Sequence, residues 1–461
     1  MGDLFGTDGV RGIPGEPPLL PETVRRLAFV AARLLIERQG AHGRNGSAPL
    51  ILMGRDPRPS GPALGRALAQ GFTRAGCRVV DLGIVPTPAL AYLAPRRGAL
   101  AAVVISASHN PPEFNGIKFF TGDGFKMGPD LEGTIERRLE TARDPGPCRP
   151  RVERDLSGVE DYLEFLRSTF PAHLDLSGLR LVVDAGNGSA SLVGPRLLRA
   201  LGAEVFAVGC SPRGNNINQG CGALDTALMR REVVRRRAHA GVSFDGDADR
   251  ALFADEKGAL LDGDAVMAMI AMDLHEKRVL RGSKVVVTVM SNFGLMQFLR
   301  DRGIEPVTVP VGDRNVTETI EQEGLSLGGE NSGHIVFRRY GPTGDGLLTA
   351  LQVLGLLRGW GRPLGWFRGV YRPYPQILEN VRVARRVPLQ DLPVMRRRIR
   401  ECEARLKGKG RVFVRYSGTE PLLRVLVEGP DRAVLERLAA ELVAVFRKEV
   451  AAADGSERSH H

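Results

Sequence analysis

"LRLVVDAGNGSASLVGPRLLRALGAEVFAVG", Leu179 to Gly209, decides the fold. It opens on an apolar strand too continuous to leave one face in water. A turn rich in Gly, Ser and Asn follows, then an amphipathic helix, then Gly202, then a second apolar strand. Buried strands joined through a helix are the mark of a parallel sheet covered by helices. A glycine just past a helix suits a left-handed C-terminal cap.

Two further segments repeat this order. "LILMGRDPRPSGPALGRALAQGFTRAGCRVVDLG" starts at Leu50 and places Gly76 after its helix. "SKVVVTVMSNFGLMQFLRDRGIEPVTVPVG" starts at Ser283 and places Gly303 there. The units recur about every hundred residues, too far apart for a solenoid, so three related α/β domains with mixed or parallel sheets are expected. Each unit is followed by a strand that runs into a polar loop: "AAVVISASHNP", "AGVSFDGDADR" and "LSLGGENSGHIVF". Ligands of open α/β sheets bind beyond the carboxyl ends of strands, so the three loops are expected to share one central cleft. From about Tyr371 the pattern turns to strands plus helix without the βαβ turn, which predicts a smaller C-terminal α+β domain. The expected divisions are residues 1–155, 156–260, 261–370 and 371–450, with a disordered tail at 451–461. Linkers are expected at 144–155, around 255–264 and at 362–376.

With 461 residues, 43% hydrophobic and 25% charged, the chain reads as a multidomain globular protein. No stretch approaches the roughly 20 apolar residues of a membrane span, and "MGDLFGTDGVRG" is neither a signal nor a transit peptide. Five scattered cysteines without a CxxC pair argue against a disulfide framework or zinc site and fit a reducing cytoplasm. The net charge of +11 is compatible with anionic substrates. "RREVVRRR" and "MRRRIREC" read as solvated helix faces with few interleaved aromatics, so no nucleic-acid partner and no membrane partner is expected.

Five loops carry chemistry. In "FDGDADR", Asp245, Asp247 and Asp249 alternate, so their carboxylates converge and repel unless a cation lies between them. Hard oxygen donors favour Mg²⁺ or Ca²⁺; the plain alternative is an acidic surface turn. In "SASHNP", Ser108 is a candidate nucleophile and His109 a candidate base, acid or phosphate ligand, with Lys118 downstream in "NGIKFF". A polar turn is the alternative there, since the nucleophile elbow GxSxG is absent. "RYSGTEPLLR" offers Arg415, Ser417, Gly418, Thr419 and Arg424 as a phosphate cradle, or as an ordinary turn. "GGENSGH" offers Glu330 and Ser332 to sugar hydroxyls and His334 as acid or base. "FGTDGVRG" offers Arg11 as a phosphate contact.

FGTDGVRG, SASHNP with NGIKFF, DGDADR, GENSGH and RYSGTEPLLR stand in that order across nearly the whole chain. The set resembles the α-D-phosphohexomutase superfamily. Within it, "GNNINQGCGAL", Gly214 to Leu224, resembles the NINxxCG stretch of the bacterial phosphoglucosamine mutases, and "VGDRNV" points the same way. Asn331 and Asn315 stand where that branch often has Gln and an aromatic residue.

The resemblance implies three similar α/β domains and a smaller fourth around a deep cleft. It implies that Ser108 carries a phosphoryl group, with Ser106 as a supporting hydroxyl. Asp245, Asp247 and Asp249 would bind one Mg²⁺ together with a phosphoserine oxygen of Ser108. Arg11, His109, Lys118 and Arg250 would surround the transferring phosphoryl group. Glu330 and Ser332 would hold sugar hydroxyls, with His334 nearby, and Arg415, Ser417, Gly418, Thr419 and Arg424 would grip the other phosphate. The implied reaction interconverts glucosamine 6-phosphate and glucosamine 1-phosphate through glucosamine 1,6-bisphosphate and would feed UDP-N-acetylglucosamine; the bisphosphate or another phosphoryl donor would activate the enzyme. The rival readings are a phosphomannomutase/phosphoglucomutase and a non-catalytic phosphosugar-binding protein. Members of the superfamily are often dimers, so a homodimer is compatible with the resemblance.

Overall fold

The computed structural model describes residues 4–6, 8–39, 47–383, 385–416 and 421–458, with side chains described as far as Ala451. The first sheet contains β1 (Val10–Gly12), β2 (Leu50–Arg55), β3 (Arg78–Ile84), β4 (Ala101–Ile105), β5 (Asn115–Thr121) and β6 (Val152–Arg154), in the order β1-β5-β4-β2-β3-β6. Its helices are α1 (Pro21–Gln39), α2 (Gly61–Arg74), α3 (Thr87–Arg96) and α4 (Pro129–Thr141). After α5 (Ser157–Thr169) comes a second sheet of β7 (Arg180–Asp184), β8 (Glu204–Val208), β9 (Ala240–Phe244), β10 (Ala251–Ala254) and β11 (Leu260–Leu261), ordered β11-β10-β9-β7-β8. Helices α6 (Ala190–Ala200) and α7 (Ala227–Arg236) make its crossovers, and α8 (Gly263–Glu276) follows. The third sheet is β12 (Lys284–Thr288), β13 (Glu305–Val309), β14 (Leu327–Gly329) and β15 (Ile335–Phe337), ordered β13-β12-β14-β15. Its crossovers are α9 (Phe293–Arg300) and α10 (Asp313–Glu323), and α11 (Gly346–Trp360) and α12 (Phe367–Val370) come next.

One arrangement recurs in all three sheets. The orders β3-β2-β4-β5, β8-β7-β9-β10 and β13-β12-β14-β15 are the same. Each has a central strand with a parallel neighbour on either side, and a fourth strand returning antiparallel beside the third. The expected α/β fold with three related sheets is therefore present. The cause is visible in the strands: Ile51–Met53, Leu181–Val183 and Val285–Val287 are buried throughout. Each large aliphatic side chain so buried contributes roughly 1.5–3 kcal/mol, which only a sheet covered on both faces secures. Gly76, Gly202 and Gly303 all have the positive φ of a left-handed cap.

The C-terminal sheet is antiparallel, with β16 (Gln376–Arg382), β17 (Arg411–Tyr416) and β18 (Leu422–Glu428) in the order β16-β18-β17, packed with α13 (Pro393–Arg405) and α14 (Arg432–Arg458). The described residues fall into two compact units, one within 1–290 and 304–369 and the other within 291–303 and 370–461. Helix α9 thus belongs to the second unit, although the sequence repeat assigns it to the third α/β segment. Asn292, which caps it, exchanges two hydrogen bonds with the backbone of Tyr374, and Phe298 lies edge-on to Tyr371 at 5.5 Å.

The expected linkers contain ordered structure. β6 pairs with β3 inside 144–155. Asp255 closes a tight turn between β10 and β11 by accepting the N–H groups of Lys257 and Ala259. Leu364 and Phe367 are buried within 362–376. Gly, Pro and charge mark a turn, and a turn inside a hairpin has the composition of a linker. Helix α14 runs on through Ala451–Ala453 to Arg458, past the point where a tail was expected to begin.

Candidate active site

The loop joining β4 to β5 carries Ser108, which is buried and has φ 50°. That left-handed conformation costs a non-glycine residue roughly 1–2 kcal/mol. Several bonds enforce it. The Ser108 N–H donates to Ser106 Oγ (2.9 Å), and Ser106 Oγ donates to Asp56 Oδ2 (2.6 Å). Ser106 is therefore a strut under Ser108. The Ser108 hydroxyl donates to Asp245 Oδ2 at 2.5 Å, so the serine loop of the first sheet meets the acidic loop of the second.

Asp245, Asp247 and Asp249 lie in the equivalent loop between β9 and β10 and are all buried. One oxygen from each falls within 4.8 Å of the others. Asp247 Oδ1 and Asp249 Oδ1 are buried without a hydrogen-bond partner. Unsatisfied carboxylate oxygens at this spacing fit a hard dication such as Mg²⁺. Burial, then the neighbouring Asp249 and Asp247, push the Asp245 carboxyl well above the usual range. Lys118, on β5, reaches Asp247 Oδ2 (2.8 Å), Asp8 Oδ2 (2.9 Å) and Asp249 Oδ2 (3.6 Å). Burial opposes its charge, but Asp247, Asp8 and Asp249 together hold its pKa well above that of a free lysine. Thr87, at the start of α3, donates its hydroxyl to Asp247 Oδ2 at 2.6 Å.

Beside this cluster is a polar cavity of about 380 Å³ whose lining includes Asp8, Arg11, His109, Asp249, Arg250 and Glu330. All three equivalent loops contribute to it. Arg11 is bonded to Asp8 and donates to Asn110 Oδ1 (3.0 Å). His109 Nδ1 lies 3.5 Å from Ser108 Oγ. Burial, with Arg250 and Arg11 close by, lowers the His109 pKa to about 4, so this imidazole is neutral at pH 7. Burial disfavours the Arg250 charge, and Asp249 and Asp245 more than restore it.

In the third loop, Gly312 N–H donates to Glu330 Oε1 (3.0 Å), and Ser332 Oγ lies 3.4 Å from Glu330 Oε2. His334 Nδ1 faces Asp249 Oδ2 at 3.7 Å, while Gly344 N–H donates to Nε2 (3.1 Å). Burial works against protonation of this ring and Asp249 draws its pKa upward. The Gly344 bond directs a backbone N–H at Nε2, so it is Nδ1 that faces Asp249.

Four models of the phosphoglucomutase/phosphomannomutase family match the chain: alpha/beta/alpha domain I at residues 2–145, domain II at 160–258, domain III at 262–374 and the C-terminal domain at 378–445. A phosphoglucosamine mutase of Rhodospirillum rubrum is 45% identical over 449 residues, covering 96% of this chain and 98% of that protein. One from Symbiobacterium thermophilum is 44% identical over 98% of this chain and all of that protein. The chain belongs to the phosphoglucosamine mutase family. A phosphoglucomutase/phosphomannomutase family protein of Burkholderia thailandensis has a similar structure, with TM-score 0.78 at 25% identity over 98% of each chain. The N-acetylphosphoglucosamine mutase of Aspergillus fumigatus, solved with GlcNAc-6P and magnesium, shares the fold at TM-score 0.67 and 18% identity, over 96% of this chain and 95% of that one.

The stretch that resembles the NINxxCG signature of phosphoglucosamine mutases bears directly on the serine loop. Asn218 Nδ2 donates to the carbonyls of Ser108 (2.9 Å) and Asn110 (3.3 Å). The VGDRN stretch ties the start of α10 to the segment after β5 and to α4: Asp313 pairs with Lys126, and Arg314 with Glu132 Oε1 at 2.7 Å. In the second unit, Arg415 on β17 stands directly opposite Arg424 on β18. Ser417, Gly418 and Thr419 lie outside the described residues.

Sequence reasoning passed over Asp56, Arg58, Thr87, Lys126 and Asp313. Asp56 and Arg58 sit in the Gly/Pro-rich turn between β2 and α2, where two opposite charges just past a buried strand are the one available signal.

Proposed function

We infer that the protein interconverts glucosamine 6-phosphate and glucosamine 1-phosphate by way of a phosphoserine at Ser108. The observation that carries the reading is the Ser108 hydroxyl held 2.5 Å from Asp245, in a converging set of three aspartates, in a chain 45% identical to a phosphoglucosamine mutase. Phosphoryl transfer needs alignment and charge neutralisation more than covalent help from the protein. A serine fixed by its own backbone supplies the alignment. Lys118, Arg250 and Arg11 supply cationic charge around the transferring group.

One Mg²⁺ held by Asp245, Asp247, Asp249 and a phosphoserine oxygen would neutralise charge on the phosphoryl oxygens. In the first half-reaction the P–O bond to Ser108 breaks and a P–O bond to a sugar hydroxyl forms. The hydroxyl proton ends on the serine oxygen, giving glucosamine 1,6-bisphosphate. The bisphosphate turns round, and the reverse transfer of its other phosphate restores phospho-Ser108. The same bisphosphate charges an unphosphorylated chain. His109 accepts or donates a hydrogen bond at the phosphate. His334 steadies Asp249. Glu330 and Ser332 take sugar hydroxyls, and Arg415, Ser417, Gly418, Thr419 and Arg424 hold the phosphate that is not reacting. The product suits the supply of UDP-N-acetylglucosamine in the cytoplasm.

The test compares glucosamine, glucose and mannose 6-phosphates side by side. The reading expects the highest kcat/KM for the amino sugar, and a clear preference for glucose or mannose would replace it with a phosphomannomutase/phosphoglucomutase assignment.

A further inference from the structure

The Ser108 loop is gripped from outside by two side chains, and neither lines the polar cavity. The first is Arg58, with 0% exposure. A guanidinium has five N–H donors, and here every one is used. Nε donates to Asp56 Oδ2 (2.9 Å). Nη2 donates to the carbonyls of Ser108 (3.1 Å) and Asn110 (2.7 Å). Nη1 donates to those of Phe114 (2.8 Å) and Pro111. Four of the five bonds thus end on backbone carbonyls of one short loop.

The second is Asn218, from the segment between β8 and α7. Its amide reaches two of the same carbonyls, those of Ser108 and Asn110. Both lone pairs of the Ser108 carbonyl are taken by these donors, and its N–H is taken by Ser106 Oγ. The serine is bonded on both sides of its strained Cα, and strain at a functional residue persists only when its surroundings over-determine it. A buried ion pair such as Arg58–Asp56 adds little net stability, because desolvation offsets the attraction. Its fan of loop contacts points to a role in geometry instead.

We propose that Arg58 and Asn218 are positioning residues for phosphoryl transfer, acting through the Ser108 and Asn110 carbonyls to keep the serine oxygen on the metal-ligand cluster. The proposal rests on the reading of Ser108 as phosphoryl carrier. It assigns the NIN asparagine to the rate of the chemical step and not to recognition of the amino sugar.

Two variants test it. Asn218→Gly removes the donor and tolerates the residue's positive φ of 59°. Arg58→Lys keeps a charge beside Asp56, but an ammonium is a point donor that cannot span four carbonyls. Unphosphorylated protein is mixed with glucosamine 1,6-bisphosphate and Mg²⁺. Charging of Ser108 is followed by intact mass as a gain of about 80 Da, the mass of one phosphoryl group. The bisphosphate concentration is varied and the melting temperature recorded alongside. The saturating rate should fall about 10- to 100-fold in Asn218→Gly, as expected for slight misplacement of a reacting atom, with the half-saturating concentration nearly unchanged.

Arg58→Lys should fall further; if it does not fold, Asn218→Gly decides alone. A folded Asn218→Gly protein that charges at the wild-type saturating rate would overturn the proposal. So would a rise in half-saturation with no loss of rate. Failure of the wild type itself to gain mass would remove the phosphoserine reading and this inference with it.

Discussion

At the scale of single residues, the site is an economy of buried charge. Asp247 takes hydrogen bonds from Lys118 and Thr87 through one oxygen and keeps the other, buried, without a protein partner. A carboxylate so arranged is half-committed to the protein and half-available to a cation. Asp247→Asn should therefore weaken Mg²⁺ binding by about tenfold or more, judged from the 10- to 100-fold losses seen when even outer partners of metal ligands are removed. Calorimetric titration of the unphosphorylated protein checks this without any turnover. An unchanged Mg²⁺ isotherm would move the metal site elsewhere. Lys118 behaves in the opposite way. Three carboxylates keep it charged in spite of burial, so it acts as fixed positive charge.

At the scale of elements, the three loops are equivalents. Each leaves the third strand of its sheet and returns antiparallel, and this brings Ser108, the Asp triplet and Glu330 to corresponding places. That much was legible in the sequence, because buried parallel strands and polar turns leave strong local patterns. What frames the loops was not legible. Arg58 meets Ser108 across 50 positions of sequence, Asn218 across 110, and Thr87 meets Asp247 across 160. No periodicity encodes a side chain that completes another segment's hydrogen bonds. One expected linker reads differently in three dimensions for a related reason: the turn at Asp255–Ala259 has the composition of a linker and the bonding of a hairpin. On β17 and β18 the opposed pair Arg415 and Arg424 makes a prediction at this scale. Arg415→Ala should raise KM about 10- to 100-fold, the loss of one charged hydrogen bond, with kcat little changed. Steady-state kinetics decide it, and an unchanged KM would remove Arg415 from the phosphate cradle.

At the scale of the whole molecule, three copies of one α/β arrangement divide a single chemical task, and an antiparallel C-terminal sheet carries the proposed second phosphate grip. Among the described residues, no helix is long and apolar enough to cross a membrane. The account's central claim is that Ser108 is the phosphoryl carrier of an amino-sugar phosphate mutase. The most direct measurement is site mapping by peptide mass spectrometry after unphosphorylated protein meets glucosamine 1,6-bisphosphate. The account predicts one phosphoryl group, about 80 Da, on the peptide bearing Ser108. It predicts that this group is discharged by glucosamine 6-phosphate and is absent from Ser108→Ala, whose turnover should fall by about 10³-fold or more. A phosphate on another residue, or wild-type turnover in Ser108→Ala, would contradict it.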